Sequence, residues 1–365
     1  MTSAPRDIVV VGAGPAGSLL ALLCARAGRR VVLLEHSRFR RPRIGETVAP
    51  SIQQDLRAAG LWEDFLALAP LPSWGTESAW GSAEPATHSH VLSPYGCAWH
   101  VDRLSFDAWL ADSAAREGAA LLTGTTVRSC LWHGDRWTLE LSSGGFFESW
   151  VVVDGTGRSA RIGRMLGAER IPLDRLVAIT VTADRTAEAG HLLIETVPDG
   201  WWYSAPLPSG RLVAMLMTDA DLCRDGNLAS RVVWRERLNT APLTSRRLRG
   251  LPLRSGPTVH AATSQRLHRR DALPWLALGD AALAVDPASG SGIVRALRSA
   301  AAGATAVEAC LDGAGTAPLE AYEHTQDTAC TKYLLERAEI YATERRWSSP
   351  FWQRRRRSIP ANMGS

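Results

Sequence analysis

The sequence predicts a mixed α/β (α+β) fold. A discontinuous Rossmann-type domain is interrupted by an inserted antiparallel β-sheet domain and followed by a C-terminal helical segment. Three observations carry this. The opening stretch DIVVVGAGPAGSLLALLCARAGRRVVLLEH reads as strand, glycine turn, helix and second strand. From about residue 172 to 262 the texture changes to alternating strands such as LVAITVTAD and RLVAMLMTD. The stretch PWLALGDAALAVDPASGSGIVRALRSAAAGATAVEAC then restores the buried strand, the glycine turn and a long alanine-rich helix.

Taken in order, Ile8 to Val11 form a buried parallel strand, Leu19 to Ala27 a helix, and Val31 to Leu34 the next strand. Residues 71–97 are rich in Pro, Gly, Ser, Trp and His and read as loop or edge strand. HVDRLSFDAWLADSAAREGAALLTG is a turn, an amphipathic helix and a strand, and WTLELSSGGFFESWVVVDGTGRS is a hairpin followed by a buried strand, Trp150 to Val153. The last forty residues read as helix to about Glu344, then end in RRWSSPFWQRRRR, with a disordered tail expected after Arg357. The expected boundaries are 1–70, 98–171 and 263–325 for the Rossmann-type domain, 71–97 and 172–262 for the inserted domain, and 326–365 for the C-terminal helix and basic tail.

A chain of 365 residues allows two domains and a sizeable core. Lys+Arg 41 against Asp+Glu 37 gives only +4, too little to argue for nucleic acid as a ligand. No apolar run is long enough to span a bilayer, and MTSAPRDIVVVGAG runs into a strand without a basic leader region, so a cytoplasmic protein is expected. Six cysteines without C-x-x-C spacing are read as reduced thiols, and no ligand spacing argues for a metal. His88 and His90 are read as solvated. Tryptophan is abundant (14), whereas Lys332 is the only lysine.

Gly12, Gly14 and Gly17 form G-x-G-x-x-G between a strand and a helix, with Ala16 inside the motif. This pattern lets the backbone approach a pyrophosphate at the helix N-terminus. Glu35 ends the second strand, where an acid binds a ribose hydroxyl. Gly279 and Asp280 follow a later strand, and Gly290, Gly292 and Ile293 open a second helix. Amides at that helix start suit the negative edge of a reduced flavin, so FAD is expected in place of a nicotinamide dinucleotide.

GAGPAG, the Gly45-Glu46-Thr47 loop, DRLSFDAWL, DGTGRSA and GDAALAVDP…GSGI, in that order, resemble the FAD-binding superfamily of aromatic hydroxylases, geranylgeranyl-type reductases and tryptophan halogenases. The resemblance implies that Arg103 contacts the FAD pyrophosphate or ribityl chain and that Asp154 lies at a second turn near the cofactor, with Val127 among the binding residues. It also places Arg43, Gly45 and Glu46 in a segment running over the cofactor. The alternative for Arg43 and Glu46 is a surface ion pair on a turn. The stretches TESAWGS, PDGWWYS and RRWSSPFW are most similar to flavoprotein monooxygenases that mature tryptophylquinone cofactors in partner enzymes.

That resemblance implies hydroxylation of an aromatic, indole or tryptophan substrate, free or within a partner protein or peptide, through a flavin C4a-hydroperoxide. NAD(P)H or a separate flavin reductase would supply electrons. His100, Trp201 and Tyr203 are the candidate catalytic residues. Trp80, Trp99, Trp201, Trp202 and Tyr203 either wall a substrate pocket or pack the sheet, and His100 is either an acid–base group or a structural histidine. The basic tail from Phe351 to Arg357 either grips an acidic partner surface or is solvated. Two other enzymatic readings stay open. One is an FAD-dependent reductase or dehydrogenase of a small molecule. The other is a flavin-dependent halogenase: Trp201 and Pro206 match the halogenase pattern W-x-W-x-I-P, but Tyr203 and Ala205 depart from it, and no lysine lies between Glu46 and Lys332. A non-catalytic flavin-binding module is the third alternative.

Overall fold

In a computed structural model, which describes residues 6–184 and 190–356, the chain builds two seven-stranded sheets. The first runs in the order Ala120–Thr123, Val31–Glu35, Arg6–Val11, Phe146–Asp154, Trp137–Leu141 and Val127–Trp132, with Trp275–Ala277 paired to Phe146–Asp154. Its centre is parallel, with Ile8 opposite both Val31 and Val151, and Val153 opposite Leu276. Parallel neighbours need a crossover, and Pro15–Arg26 supplies the first. That helix begins at Pro15, four residues before the expected Leu19, because proline at the first helical position is already set to helical φ.

The strand from the third segment therefore joins a sheet begun by the first and continued by the second. The fold is mixed α/β with a discontinuous Rossmann-like FAD-binding region, an inserted sheet and a C-terminal helical segment.

The second sheet runs Thr258–Ala261, Leu176–Asp184, Arg211–Asp219, Gly200–Pro206, Leu192–Val197, Gly75–Ala79 and Ala86–Ser89. Its pairs are antiparallel except Leu192–Val197 with Gly75–Ala79, which is parallel. Gly200–Pro206 is buried along its whole length and Arg211–Asp219 nearly so. Both faces are covered, and this explains why the alternation of these strands is weaker than in a one-sided sheet. Three helices that the strand pattern did not announce, Ala220–Asp225, Arg231–Asn239 and Pro242–Leu248, lie within the inserted region. Leu248 and Trp234 join Trp202 in the cluster on one face. Tyr341, Phe351 and Trp352 join Trp201 and Tyr203 on the other.

The C-terminal region folds as Ala317–Ala342 and Pro350–Arg356. Two of its arginines bind acids of the chain itself. Arg354 pairs with Asp219 and Asp221 at 2.7 and 2.6 Å, and Arg355 with Asp219 at 2.8 Å. Asp219 ends the strand Arg211–Asp219 and Asp221 lies just after it, so the basic run serves as a clasp on the chain's own second sheet. Residues from Arg357 onward lie outside the described residues. No described helix is long and apolar enough to cross a membrane.

Candidate functional site

The glycines of the first domain divide into two kinds. A Cβ on Gly12 would lie 2.3 Å from the Gly155 carbonyl oxygen, and one on Gly17 only 2.0 Å from that of Gly12. These two serve the chain's own close packing. A Cβ on Gly14, Gly290 or Gly292 would meet nothing within 4 Å. These keep side chains away from two helix starts. Pro15–Arg26 and Gly292–Ala309 both begin without a side-chain cap and without an acid in the first turn. Amides left bare in this way form anion sites, so the residues present fit the phosphates and anionic ring edge of FAD. Ala16 and Ile293 lie in the first turns of these two helices.

Glu35 ends its strand with a carboxylate only 3% exposed. Burial alone would raise its pKa. Hydrogen bonds from Ser37 and the Ala13 amide, with the Arg43 guanidinium, outweigh burial and bring it below the usual range. Arg43 reaches Glu35 at 3.0 Å and Asp107 at 2.7 Å. Arg103 forks onto the same fully buried Asp107 and donates to the Ile44 carbonyl oxygen at 2.8 Å. The expected alternative of an Arg43–Glu46 surface pair does not form, because Glu46 turns inward. Glu46 is 3% exposed, accepts the Gly45 amide, and is pushed by burial up to about 7. Asp107 was missed in the sequence. Its place four residues after Arg103 on one helix is the signal that marks it.

Asp154 is buried and accepts from Thr156 and the Gly163 amide, so its carboxylate shapes the turn that seats Gly155 against Gly12. Val127 is buried, and its carbonyl oxygen accepts from Arg161. Gly279 and Asp280 lie in a short 3-10 turn, with the Asp280 carboxylate 35% exposed and 3.3 Å from Arg158.

Two of the three candidate catalytic residues, His100 and Tyr203, meet on one hydroxyl. Thr47 Oγ1 lies 2.9 Å from His100 Nδ1 and 2.6 Å from the Tyr203 hydroxyl. Thr47 pairs with His100 across the short antiparallel ladder, while Tyr203 arrives from the second sheet. Burial raises the Tyr203 pKa, so its hydroxyl keeps its proton. Trp201 lies on the same face of that strand, with its Nε1–H donated to the Tyr341 hydroxyl at 3.0 Å.

The five aromatics do not wall one pocket. Strand alternation sends Trp202 to the opposite face, 5.2 Å from Trp234. Trp99 packs on Trp62 and Phe65 in the first domain. Trp80, Trp201 and Tyr203 remain together.

Residues 6–145 match the family model described as FAD binding domain. LodB of Marinomonas mediterranea, named as an FAD-dependent oxidoreductase, is 30% identical over 360 residues, 96% of each chain. Tryptophan 2-halogenase of Chondromyces crocatus is 25% identical over 94% of this chain and 69% of its own length.

Among solved structures, the flavin-dependent halogenase CmlS overlays with a TM-score of 0.88 at 24% identity, over 99% of this chain and 69% of CmlS. The peptidyl tryptophan dihydroxylase QhpG, essential for tryptophylquinone cofactor biogenesis, overlays at 0.76 with 24% identity, over 96% of this chain and 79% of its own. Two expectations are thereby corrected. The expected place nearest the tryptophylquinone-maturing monooxygenases is not upheld, since the overlay on the halogenase CmlS, at 0.88, exceeds that on the dihydroxylase QhpG, at 0.76. Hydroxylation of an aromatic ring through a flavin C4a-hydroperoxide is likewise not upheld as the leading reading, because CmlS and the Chondromyces crocatus relative, which match over 99% and 94% of this chain, are named halogenases. Of the short stretches behind those expectations, PDGWWYS lies on and before the strand Gly200–Pro206, where Trp201 and Trp202 are fully buried in packing on its two faces.

Proposed function

The chain belongs to the same family as LodB, among the FAD-dependent oxidoreductases, and from that premise we propose that it performs halogenase-type chemistry on an electron-rich aromatic small molecule. The observation that carries this reading is a halogenase-like architecture running through 99% of the chain, supported by the halogenase relative that aligns over 94% of it.

Bound FAD would supply two-electron reduction and reaction with oxygen. Gly14, Ala16 and Glu35 would hold the adenosine half, Gly12 and Gly17 would shape the turn beneath it, and the backbone amides of the opening helix would face the pyrophosphate. Arg103, Asp154, Val127, Gly279 and Asp280 would lie along the middle of the cofactor. Gly45, Glu46, Gly290, Gly292 and Ile293 would bracket its ring end. Arg43 acts at one remove, holding Glu35 and Asp107 in place. Trp201, fully buried and tied to Tyr341, closes the second sheet against the site. The Thr47 hydroxyl joins the Tyr203 hydroxyl to His100 Nδ1 in one hydrogen-bonded chain, screened from water because His100 is 0% and Tyr203 9% exposed, and this chain would hold the groups at that end of the site in a fixed arrangement.

One observation favours a second reading, an FAD-dependent reductase or dehydrogenase of a small molecule. Halogenases resembling this chain use a lysine soon after the Gly-Glu-Ser/Thr loop. Here Lys332 is the only lysine, on the outer helix, 77% exposed and 3.8 Å from Glu336.

The test is to supply the FAD-loaded chain with oxygen, chloride or bromide, and electrons from NAD(P)H or from an added flavin reductase. Free indole, a phenol and a tryptophan-containing peptide serve as acceptors. A product with the halogen isotope doublet supports the first reading. Turnover that needs neither halide nor oxygen, and couples instead to a soluble electron acceptor, moves the assignment to the second.

A further inference from the structure

Trp201 and the late helix Gly292–Ala309 belong to different sheets' surroundings, yet one buried chain of hydrogen bonds joins them. The Trp201 indole N–H donates to the Tyr341 hydroxyl at 3.0 Å. That hydroxyl donates to Asp286 Oδ2 at 2.8 Å. Asp286 Oδ1 accepts the Ala288 amide at 2.9 Å, and the Asp286 amide donates to the Tyr333 hydroxyl at 2.9 Å. Trp201 and Tyr341 are 0% exposed and Asp286 is 1%. Two tyrosines of the helix Ala317–Ala342 thus grip one aspartate from both sides, and that aspartate caps the short turn Pro287–Ser289 leading through Gly290 to the late helix.

We propose that Tyr341 is a positioning residue, linking Trp201 to Asp286 and so fixing the turn at residues 286–290 that presents the late helix's first amides to FAD. A phenylalanine would fill the same space against Trp80, Phe351 and Trp352. What it would lose is the hydroxyl that serves two buried partners at once. Both the Trp201 N–H and Asp286 Oδ2 would then lie buried without it, which costs more than the bonds themselves contribute. Asp286 would swing to find a donor and release Ala288, and the amides that follow would move with the turn. The inference rests on FAD having its ring end at residues 290–293, and does not depend on whether halide is used.

The experiment compares Tyr341→Phe with Phe351→Leu, which loosens the same aromatic cluster without touching the hydrogen-bond chain. Both are made in the full chain loaded with FAD. The readouts are the bound flavin's absorption and fluorescence, the FAD dissociation constant and the melting temperature. Tyr341→Phe is expected to shift the flavin bands and weaken FAD binding by about five-fold, the size of one buried hydrogen bond. Phe351→Leu is expected to lower the melting temperature and leave the flavin bands in place.

Adding Tyr341→Phe to Asp286→Asn should have less effect than it has alone, because both act on one link. If Asp286→Asn does not fold, Trp201→Phe takes its place in the cycle. An unchanged flavin spectrum and affinity in Tyr341→Phe, equal spectral changes in the two single variants, or full additivity in the cycle would each overturn the proposal. None of these readouts requires turnover, so a failure to halogenate leaves them intact.

Discussion

The two seven-stranded sheets solve the problem of burial differently. In the first, backbone contacts among glycines gather at the end that carries the motif, whereas in the second a backbone contact, Gly200 against the Met217 carbonyl oxygen, lies within the sheet itself. Gly12, Gly17 and Gly155 pack through main-chain atoms, and the residues paired just before them, Ile8 to Val10 with Val151 to Val153, are aliphatic. In the second, large side chains do the work. Trp202 meets Trp234 on one face, and Trp201, Tyr341 and Trp352 form the other. A backbone contact tolerates only glycine, so it leaves a pattern in the sequence. A side-chain contact is satisfied by many residues and leaves little. The functional end of the first sheet is therefore marked by its motif, while the second contributes its groups through partners far away in the chain.

The difference can be broken most severely at Gly17. An alanine Cβ there would lie 2.0 Å from the Gly12 carbonyl oxygen, and backbone cannot give way as a side chain can. Gly17→Ala is expected to cost more than about 4 kcal/mol of stability and to yield a chain that no longer retains FAD, read by urea unfolding and by the flavin absorbance of the purified protein. A stable, yellow Gly17→Ala protein would refute the claim that backbone contact governs this sheet. At Trp234 the expected loss is about 3 to 4 kcal/mol for Trp234→Ala, from the cavity left beside Trp202. FAD affinity should stay within about two-fold, since this face points away from the cofactor. Weakening of FAD in proportion to the lost stability would mean that the two sheets are not separable.

A smaller effect is expected where the first domain relies on side chains. Asp107 is buried and holds both Arg43 and Arg103. Asp107→Asn leaves two guanidinium groups with a neutral partner, at a cost of about 2 to 3 kcal/mol. Arg43 would also lose its hold on Glu35, so FAD affinity should fall together with the melting temperature.

The legibility of the chain follows the same division. The strand Arg6–Val11, its glycine turn, Glu35 and the returning segment at Trp275 could be read because each is local and strictly constrained. The inserted sheet could be read as strands, but its burial on both faces could not, since the helices Ala220–Leu248 and the clasp Pro350–Arg356 cover it from a distance. Trp201 and Tyr203 stood out by type. Tyr341 did not, because a tyrosine on a long helix carries no signal until the fold brings it within 3.0 Å of Trp201, and Thr47 is legible only as part of the Gly45-Glu46-Thr47 segment, not as the hydroxyl 2.6 Å from Tyr203. The reading toward tryptophylquinone maturation failed for a related reason: short aromatic matches in the second sheet report packing more than chemistry.

The smallest effect sharpens the comparison by its sign. Each sheet has a deeply buried glutamate beside it. Glu46, in the loop near the cofactor site, has few compensating partners, and burial pushes it up to about 7 from the ordinary 4.5. Glu344 clamps the C-terminal segment onto the second sheet. Burial opposes its charge, but Arg346, Thr196 Oγ1 and the Gly81 amide outweigh that and hold it at about 2. A raised pKa means that the folded chain binds the proton more tightly than the unfolded one. The stability contributed by Glu46 is present below about 4.5 and is lost as pH rises through about 7. A lowered pKa has the opposite sense, so the contribution of Glu344 is present above about 4.5 and is lost as pH falls through about 2. Melting temperatures should therefore respond to the two substitutions on opposite limbs of the pH profile. Glu46→Gln should flatten the decline between about 4.5 and 7, whereas Glu344→Gln should lower stability above about 4.5 and flatten the acid limb. If Glu46→Gln and the parent kept parallel profiles from about pH 4 to about pH 8, Glu46 would be charged in the folded chain, and the segment after Gly45 would hold a carboxylate where a protonated acid is expected.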